Sequence, residues 1–240
     1  MKKLITLSFL FCFGMLSGFS ATAFDHSIWD RYLGRYVSNE GIVNYRSMKL
    51  EMDTLDAYLL HLREHSLPTD ASKEEKMAYY INAYNAYNIK FILSKYPVEL
   101  VTDISYSGKD IWSFRMANLA GTNYTLNQLR DDYLRKFAEP RIHFAINNGA
   151  KSNPKLLNKA YTGDKLNTQL SDAAKAFITD PKHNVLSEKK LQLSELFSWF
   201  GTDFNVSGKT LIEFLNQYSP VTILPSAKIE YLPYSWNLND

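Results

Sequence analysis

Apolar residues recur at helical spacing along much of the chain, and the clearest such stretch runs from Lys73 to Lys95. Its apolar positions recur at helical spacing, as on one face of a helix: Met77, Tyr80, Ile81, Tyr84, Phe91 and Ile92. Ser72 and Glu75 have the spacing of a capping box. A proline at position 97 disfavours helical backbone at the residue before it. The pattern therefore predicts a helix over residues 73–95.

Shorter patterns predict the other elements. Helices are expected over residues 27–36, 48–65, 126–137, 164–178, 194–200 and 209–217. Strands are expected over residues 41–45, 141–147 and 228–232, with hairpins over residues 112–124 and 185–193. These elements predict an α+β fold, a mostly helical single domain with a small antiparallel sheet.

The N-terminus has the pattern of an export signal. Lys2 and Lys3 precede an apolar run that ends near Phe19, and Ala21-Thr22-Ala23 follows it. These are the parts of a signal peptide, and the run is shorter than the roughly 20 residues of a membrane span. We expect a signal peptide at 1–23, a single globular domain at 24–240, no integral membrane segment after processing, and a periplasmic or extracellular location.

Charge and cysteine content exclude several functions. Without Lys2 and Lys3, 25 basic side chains remain against 25 acidic ones. This balance gives no electrostatic footprint for a nucleic acid partner. The one cysteine, Cys12, lies inside the predicted signal peptide. The mature chain therefore has no disulfide, thiolate metal site or cysteine nucleophile, and no cofactor is expected.

One histidine pair resembles a metal site. His61 and His65 lie four residues apart, and with Glu64 they match a zinc-protease pattern. On the predicted helix both lie opposite the apolar stripe, in the last turn. We therefore expect both side chains to face solvent and to bind no metal.

The chemistry-bearing residues concentrate at the predicted strand 141–147 and the loop after it. Ile142, Phe144 and Ile146 alternate with more polar positions, which places His143 on the opposite face. The loop offers Asn148, Ser152 and Asn153. Loops that leave strands commonly carry sites, and a histidine there can act as a general base. The alternative is a structural histidine that bonds a neighbouring backbone carbonyl.

Three asparagines interrupt the long predicted helix. Asn82, Asn85 and Asn88 lie on one stripe, although asparagine is unfavourable inside helices. Buried asparagines must be hydrogen-bonded, so they brace a neighbouring loop or bind a ligand, and bracing is favoured. Glu75 lies nearly on the same face, although the capping box already explains it. We retain Glu75, Asn82 and Asn85 as candidate ligand-binding residues beside Asn148 and Asn153.

Several of these segments resemble a known family. Residues 75–86, EKMAYYINAYNA, are similar to the helix motif E-x-x-A-F-W-I-N-A-Y-N-A of the domain-of-unknown-function family 547. Residues 139–145, 196–204 and 231–239 resemble further motifs of that family. The resemblance covers about residues 43–239. It implies an exported bacterial protein without a settled biochemical activity.

The sequence departs from the family pattern in the loop. The family's loop usually reads N-C-G-A-K-S-C-P-P-L, and both cysteine positions are asparagine here, Asn148 and Asn153. A thiolate mechanism therefore cannot be carried over to this chain. His143, Glu75, Asn82 and Asn85 do match the pattern, which implies that the scaffold of the site is retained.

Two main functions fit these residues, and whether the protein is an enzyme stays open. The favoured one is a binding or pseudo-enzyme module whose polar pocket around His143 holds a small polar, peptide or glycan ligand. The alternative is a non-thiol hydrolase with His143 as base and Ser152 or water as nucleophile. A purely structural partner role is a third, weaker option.

Overall fold

The structure is a computed structural model that describes residues 23–205 and 208–240. Residues 1–22, which hold nearly all of the predicted signal peptide and Cys12, lie outside the described residues. Across the two described ranges, no helix combines the length and apolar character that crossing a membrane requires.

The predicted fold class is confirmed, since the molecule is a mostly helical α+β domain. The α-helices are α1 (Ser27–Tyr36), α2 (Tyr45–Leu50), α3 (Met52–Glu64), α4 (Lys73–Lys95), α5 (Leu126–Gln128), α6 (Leu166–Ile178), α7 (Leu196–Trp199) and α8 (Leu211–Leu215). Helix α5 continues as a π-helical turn, Leu129–Leu134, and a 3-10 turn, Arg135–Phe137. Further 3-10 helices span Val101–Asp103, Pro140–Phe144 and Gly201–Phe204.

Within residues 23–205 and 208–240, short strands form three small sheets. The strands are β1 (Ser105–Tyr106), β2 (Lys109–Asp110), β3 (Ala117–Leu119), β4 (Thr122–Tyr124), β5 (Val185–Leu186), β6 (Lys190–Ser194) and β7 (Lys228–Leu232). The pairs β1–β2, β3–β4 and β5–β6 are antiparallel. The predicted hairpins and last strand are confirmed, although β7 pairs with β6 in parallel.

Helix α4 is the central element, and it begins and ends as the sequence predicts. Ser72 and Glu75 form the capping box, with each side chain bonded to the other's backbone N–H. The helix packs against α3, α6 and the π-helical turn. Most of its side chains are buried, including all three asparagines. Because it is covered on nearly every side, α4 can hold polar side chains against the loops around it.

Three boundaries differ from the predictions. Residues 41–45 make only an isolated bridge between Val43 and Val37, because Tyr45 already begins α2 under the side-chain cap of Asn44. The single helix predicted over 48–65 is two helices that meet at Glu51. The helix predicted over 126–137 has its expected Thr125 cap but changes to π and 3-10 geometry after Gln128.

The predicted strand 141–147 is wrong, and this segment carries His143. Residues Pro140–Phe144 form a 3-10 helix. Pro140 suits a first helical turn, and the Glu139 side chain accepts the backbone N–H of Arg141 there. The alternation that suggested a strand does not separate two faces, because residues 142–147 are all buried.

Candidate functional site

A cavity of about 170 Å³ lies beside the 3-10 helix Pro140–Phe144 and α7. We call it the His143 cavity. It is lined by His143, Ile146, Asn148 and Asn153 from the central segment, by Asp110, Asn127 and Arg130, by Leu196, and by six aromatic side chains: Tyr84, Trp112, Trp199, Phe200, Tyr234 and Trp236. Of the candidate site residues, the structure brings His143, Asn148 and Asn153 together here.

His143 is fixed by a stacked ring and a carboxylate. Its ring lies 4.2 Å from that of Phe200 at an interplanar angle of 19°. Its Nε2 lies 2.8 Å from Oδ2 of Asp203. Arg135 donates two further hydrogen bonds to the same carboxylate, from Nε at 2.6 Å and Nη2 at 2.7 Å. Because the side chain is only 2% exposed, its orientation is set by these contacts.

Burial and this ion pair determine where the proton of His143 lies. Although burial alone would raise the pKa of Asp203, hydrogen bonds from His143 and Arg135 hold it well below its usual range. Burial lowers the pKa of His143, against the opposing effect of Asp203. A carboxylate can only accept, so the neutral imidazole carries its proton on Nε2. Nδ1 is then an acceptor, and it has no hydrogen-bond partner among the described residues.

Asn85 fixes the backbone that follows His143. Its Nδ2 donates to the carbonyl of Ala145 at 3.0 Å, and its Oδ1 accepts the N–H of Asn147 at 2.8 Å. Asn147 in turn accepts the N–H of Gly149 and donates to the carbonyl of Pro154. Both ends of the loop are thereby tied to α4. This is the bracing role that the sequence favours, and Asn85 does not line the His143 cavity.

Gly149 is required by the same loop. Its φ of +87° is unfavourable for other residues. A Cβ at this position would lie 2.4 Å from Cδ1 of Ile92. The close approach of the loop to α4 therefore depends on glycine.

Asn82 braces a second segment in the same way. Its Nδ2 donates to the carbonyl of Tyr161 at 2.7 Å, and its Oδ1 accepts the N–H of Tyr161 at 2.9 Å. Its amide is thus committed to the backbone, away from the His143 cavity. Asn88 is also fully buried, and neither of its side-chain polar atoms has a partner within the described part of the chain.

Asn148 and Asn153 meet through one tyrosine. Asn148 donates to the hydroxyl of Tyr234 at 2.9 Å, and that hydroxyl donates to Oδ1 of Asn153 at 3.2 Å. Asn153 also donates to the carbonyl of Ile146. The two positions that carry cysteine in the family pattern thus lie on one wall of the cavity that His143 lines.

Ser152 and Glu75 lie elsewhere. Ser152 lines a different cavity of about 720 Å³, and its hydroxyl oxygen accepts the backbone N–H of Ser235 at 2.8 Å. Glu75 lines a third cavity, and its carboxylate is engaged by Ser72 in the capping box. The structure therefore does not bring either side chain to His143.

The sequence reasoning missed Asp203, Arg130 and the tryptophans of the cavity. Asp203 lies 60 residues from His143, and no local pattern connects them. The signal that could have found it was the resemblance over 196–204, which contains both Trp199 and Asp203. The resemblance over 231–239 contains Trp236.

The histidine pair at the C-terminal end of α3 is only partly as predicted. His65 is exposed, but His61 is half-buried, with its ring 4.7 Å from that of Phe24. The expectation that both side chains face solvent is wrong for His61, because the chain before α1 packs over it. Within residues 23–205 and 208–240, no group of three or more histidine, cysteine or acidic side chains could hold a metal ion.

Comparison with known proteins relates the central part of the chain to a family. The model of a family described as "Protein of unknown function, DUF547" matches residues 68–178. That range contains α4, His143 and the loop that carries Asn148 and Asn153. The chain matches no curated protein and no solved structure.

Proposed function

Through residues 68–178 the chain belongs to the DUF547 family, and because that description assigns no activity, we propose a function from the site itself. The protein is a binding or pseudo-enzyme module, and its His143 cavity holds a small polar ligand. Following the predicted signal peptide, we place this binding outside the cytoplasm.

A single observation carries this proposal. His143 lines a cavity together with Asn148 and Asn153, and its buried Nδ1 has no partner within the described ranges. A buried polar atom without a partner costs free energy, so a ligand group that donates to Nδ1 would be favoured there. Concave sites with mostly apolar walls and a few polar groups are typical of ligand binding.

The same residues argue against nucleophilic catalysis by the protein. Both family cysteine positions in the cavity are amides, and amides are not nucleophiles of this kind. Ser152 lines another cavity. Among the described residues, no serine, threonine or cysteine lines the cavity, so it supplies hydrogen bonds and shape but none of these nucleophiles beside His143.

The proposal is tested by thermal unfolding against a library of neutral sugars, amino acids, short peptides, carboxylic acids and quaternary amines. A ligand present at 100 times its Kd stabilises the native state by about 2.7 kcal/mol. For a chain of this size that raises the Tm by about 5–10 °C. We expect at least one compound to give such a shift.

Two variants locate the binding. In His143→Gln the amide can still donate to Asp203 but the Nδ1 acceptor is gone, so we expect the ligand-induced shift to disappear. Ser152→Ala changes a neighbouring side chain in a different cavity and should keep the full shift. A library without any stabilising compound, or hits that survive His143→Gln unchanged, would contradict the proposal.

A hydrolase that activates water is the second candidate, and the His143–Asp203 pair favours it. Nδ1 can accept a proton, and Asp203 would stabilise the imidazolium that forms. The measurement that separates the two is the fate of the hit compound after prolonged incubation with the protein. A binding module returns it unchanged, whereas a hydrolase converts it at a rate that His143→Gln abolishes.

A further inference from the structure

The His143 cavity has an aromatic wall with an exposed edge. Three of the chain's four tryptophans line it, namely Trp112, Trp199 and Trp236. Trp199 is 45% exposed although it stacks on Trp236, with ring centroids 5.7 Å apart and an interplanar angle of 17°. A large, flat, apolar surface is thus left open to solvent at the cavity.

The aromatic rings form a continuous wall and not a cage. Tyr234 lies 4.8 Å from Trp199 and 4.6 Å from Trp236, centroid to centroid, so these rings contact one another directly. Quaternary ammonium ligands are recognised by rings that surround the cation. A flat, uncharged ligand face suits this wall better.

Two buried polar atoms beside the wall lack partners. Nε1 of Trp112 and Nδ1 of His143 have no hydrogen-bond partner within residues 23–205 and 208–240. The indole N–H is a donor only, and the neutral imidazole Nδ1 is an acceptor. A hydroxyl group both accepts and donates. Both residues line the cavity, and a ligand that carries several hydroxyls on a ring offers the matching acceptor and donor.

The charges that line the cavity are already engaged. Arg130 makes two hydrogen bonds to the carboxylate of Asp131, at 2.9 and 2.8 Å. Asp110 is exposed, and its carboxylate accepts the backbone N–H groups of Trp112 and Ser113. The two charged side chains that line the cavity, one of each sign, thus both have hydrogen-bond partners within the protein. This balance favours a neutral ligand.

From these observations we infer that the His143 cavity binds a neutral carbohydrate, with the C–H face of a pyranose ring on the Trp199–Trp236 wall and ring hydroxyls bonded to Trp112 Nε1 and His143 Nδ1. The cavity of about 170 Å³ is below the roughly 300–1,000 Å³ of common ligand pockets. It therefore takes one sugar unit, and the next unit of an oligosaccharide lies on exposed Trp199. This inference rests on the proposed function and specifies its ligand class.

The test is isothermal titration of the full chain with four neutral tetrasaccharides, built from glucose, N-acetylglucosamine, mannose or galactose units. Mannitol, which has hydroxyls but no ring, tetraalanine and choline are the comparison compounds. We expect at least one tetrasaccharide to bind with a Kd of about 1 mM or tighter, and mannitol not to bind. Trp199→Ala should weaken that binding about tenfold or more.

Matched variants show whether the contacts are the inferred ones. Tyr231→Ala removes another aromatic ring of similar exposure, 43%, that does not line the cavity, and should leave the Kd within about twofold. Trp112→Phe keeps an aromatic ring but removes the N–H, so it should weaken binding, and the Tm of the free protein measures any separate loss of packing.

The outcomes separate this inference from the proposed function. Binding of choline or tetraalanine that depends on His143, without binding of any tetrasaccharide, overturns the carbohydrate inference and leaves the binding module standing. If Trp199→Ala does not weaken tetrasaccharide binding, the inferred stacking of the sugar on the Trp199–Trp236 wall is wrong. If no compound binds in a His143-dependent way, both proposals fail.

Discussion

Replacing Asn85 with aspartate should lower the free energy of unfolding by about 3–5 kcal/mol at pH 7. Asn85 is 2% exposed and donates to the carbonyl of Ala145. The introduced carboxylate can still accept the N–H of Asn147 but cannot donate. A buried negative charge would then face a carbonyl oxygen without compensation. Urea unfolding of the two proteins measures the difference.

The matched control is Asn123→Asp. Asn123 is exposed, and its side-chain oxygen accepts a hydrogen bond from Asn118 at 2.7 Å, which a carboxylate can also do. We expect a change of less than about 0.5 kcal/mol. The cost at Asn85 should also shrink at lower pH, where a protonated carboxyl can donate to Ala145. Equal and small effects at both positions would show that the bracing of the loop by α4 is unimportant.

The stability of the fold should fall as pH drops from 7.5 to 5, and His26 should be a main cause. Burial lowers the pKa of His26 to about 4, which the Coulombic effect of Asp25 only partly opposes and that of His61 increases. The unfolded chain takes up this proton near pH 6.5. Below that pH the unfolded state binds more protons than the native state, so stability is lost. For His26 alone the loss is about 2 kcal/mol at pH 5.

His26→Asn isolates this contribution. The Nδ1 of His26 lies 2.7 Å from the hydroxyl of Tyr58. An asparagine amide can form a hydrogen bond with that hydroxyl but does not titrate. The free energy of unfolding of His26→Asn should therefore change less between pH 7.5 and 5 than that of the parent chain. The same slope in both proteins would contradict the account of His26.

The sequence was most informative where local signals agreed. Helix α4 carries a capping box, a regular apolar period and a proline after its end, and its boundaries came out as predicted. The segment 141–147 shows the limit of periodicity. Apolar and polar residues alternate there, but all positions from 142 to 147 are buried, so burial did not follow the alternation. Pro140 and the side-chain cap of Glu139 instead stabilise the start of a 3-10 helix.

The site could be predicted only in part, because its contacts are distant in sequence. His143, Asn148 and Asn153 lie within one short segment and could be grouped from the sequence. Their partners Asp203 and Tyr234 come from elements 60 and 81 or more residues away. No periodicity reports such contacts, since they depend on how the helices pack. Ser152 illustrates the converse, because it is next to Asn153 in the sequence but does not line the His143 cavity.

The central feature of the proposed site is that Asn153, in the loop after His143, and His143 itself line one cavity, and an engineered thiol tests this most directly. In a chain whose own Cys12 is replaced by serine, the rate of alkylation by iodoacetamide is measured against pH for Asn153→Cys and, as the neighbouring control, Ser152→Cys. The thiol at 153 should transfer its proton to His143, with Asp203 stabilising the imidazolium. Its apparent pKa should then lie below about 7.5 and return towards about 8.5 when His143→Gln is added. The thiol at 152 should titrate near 8.5 with or without His143. A thiol at 153 that behaves like the one at 152, and is insensitive to His143→Gln, would contradict the shared site.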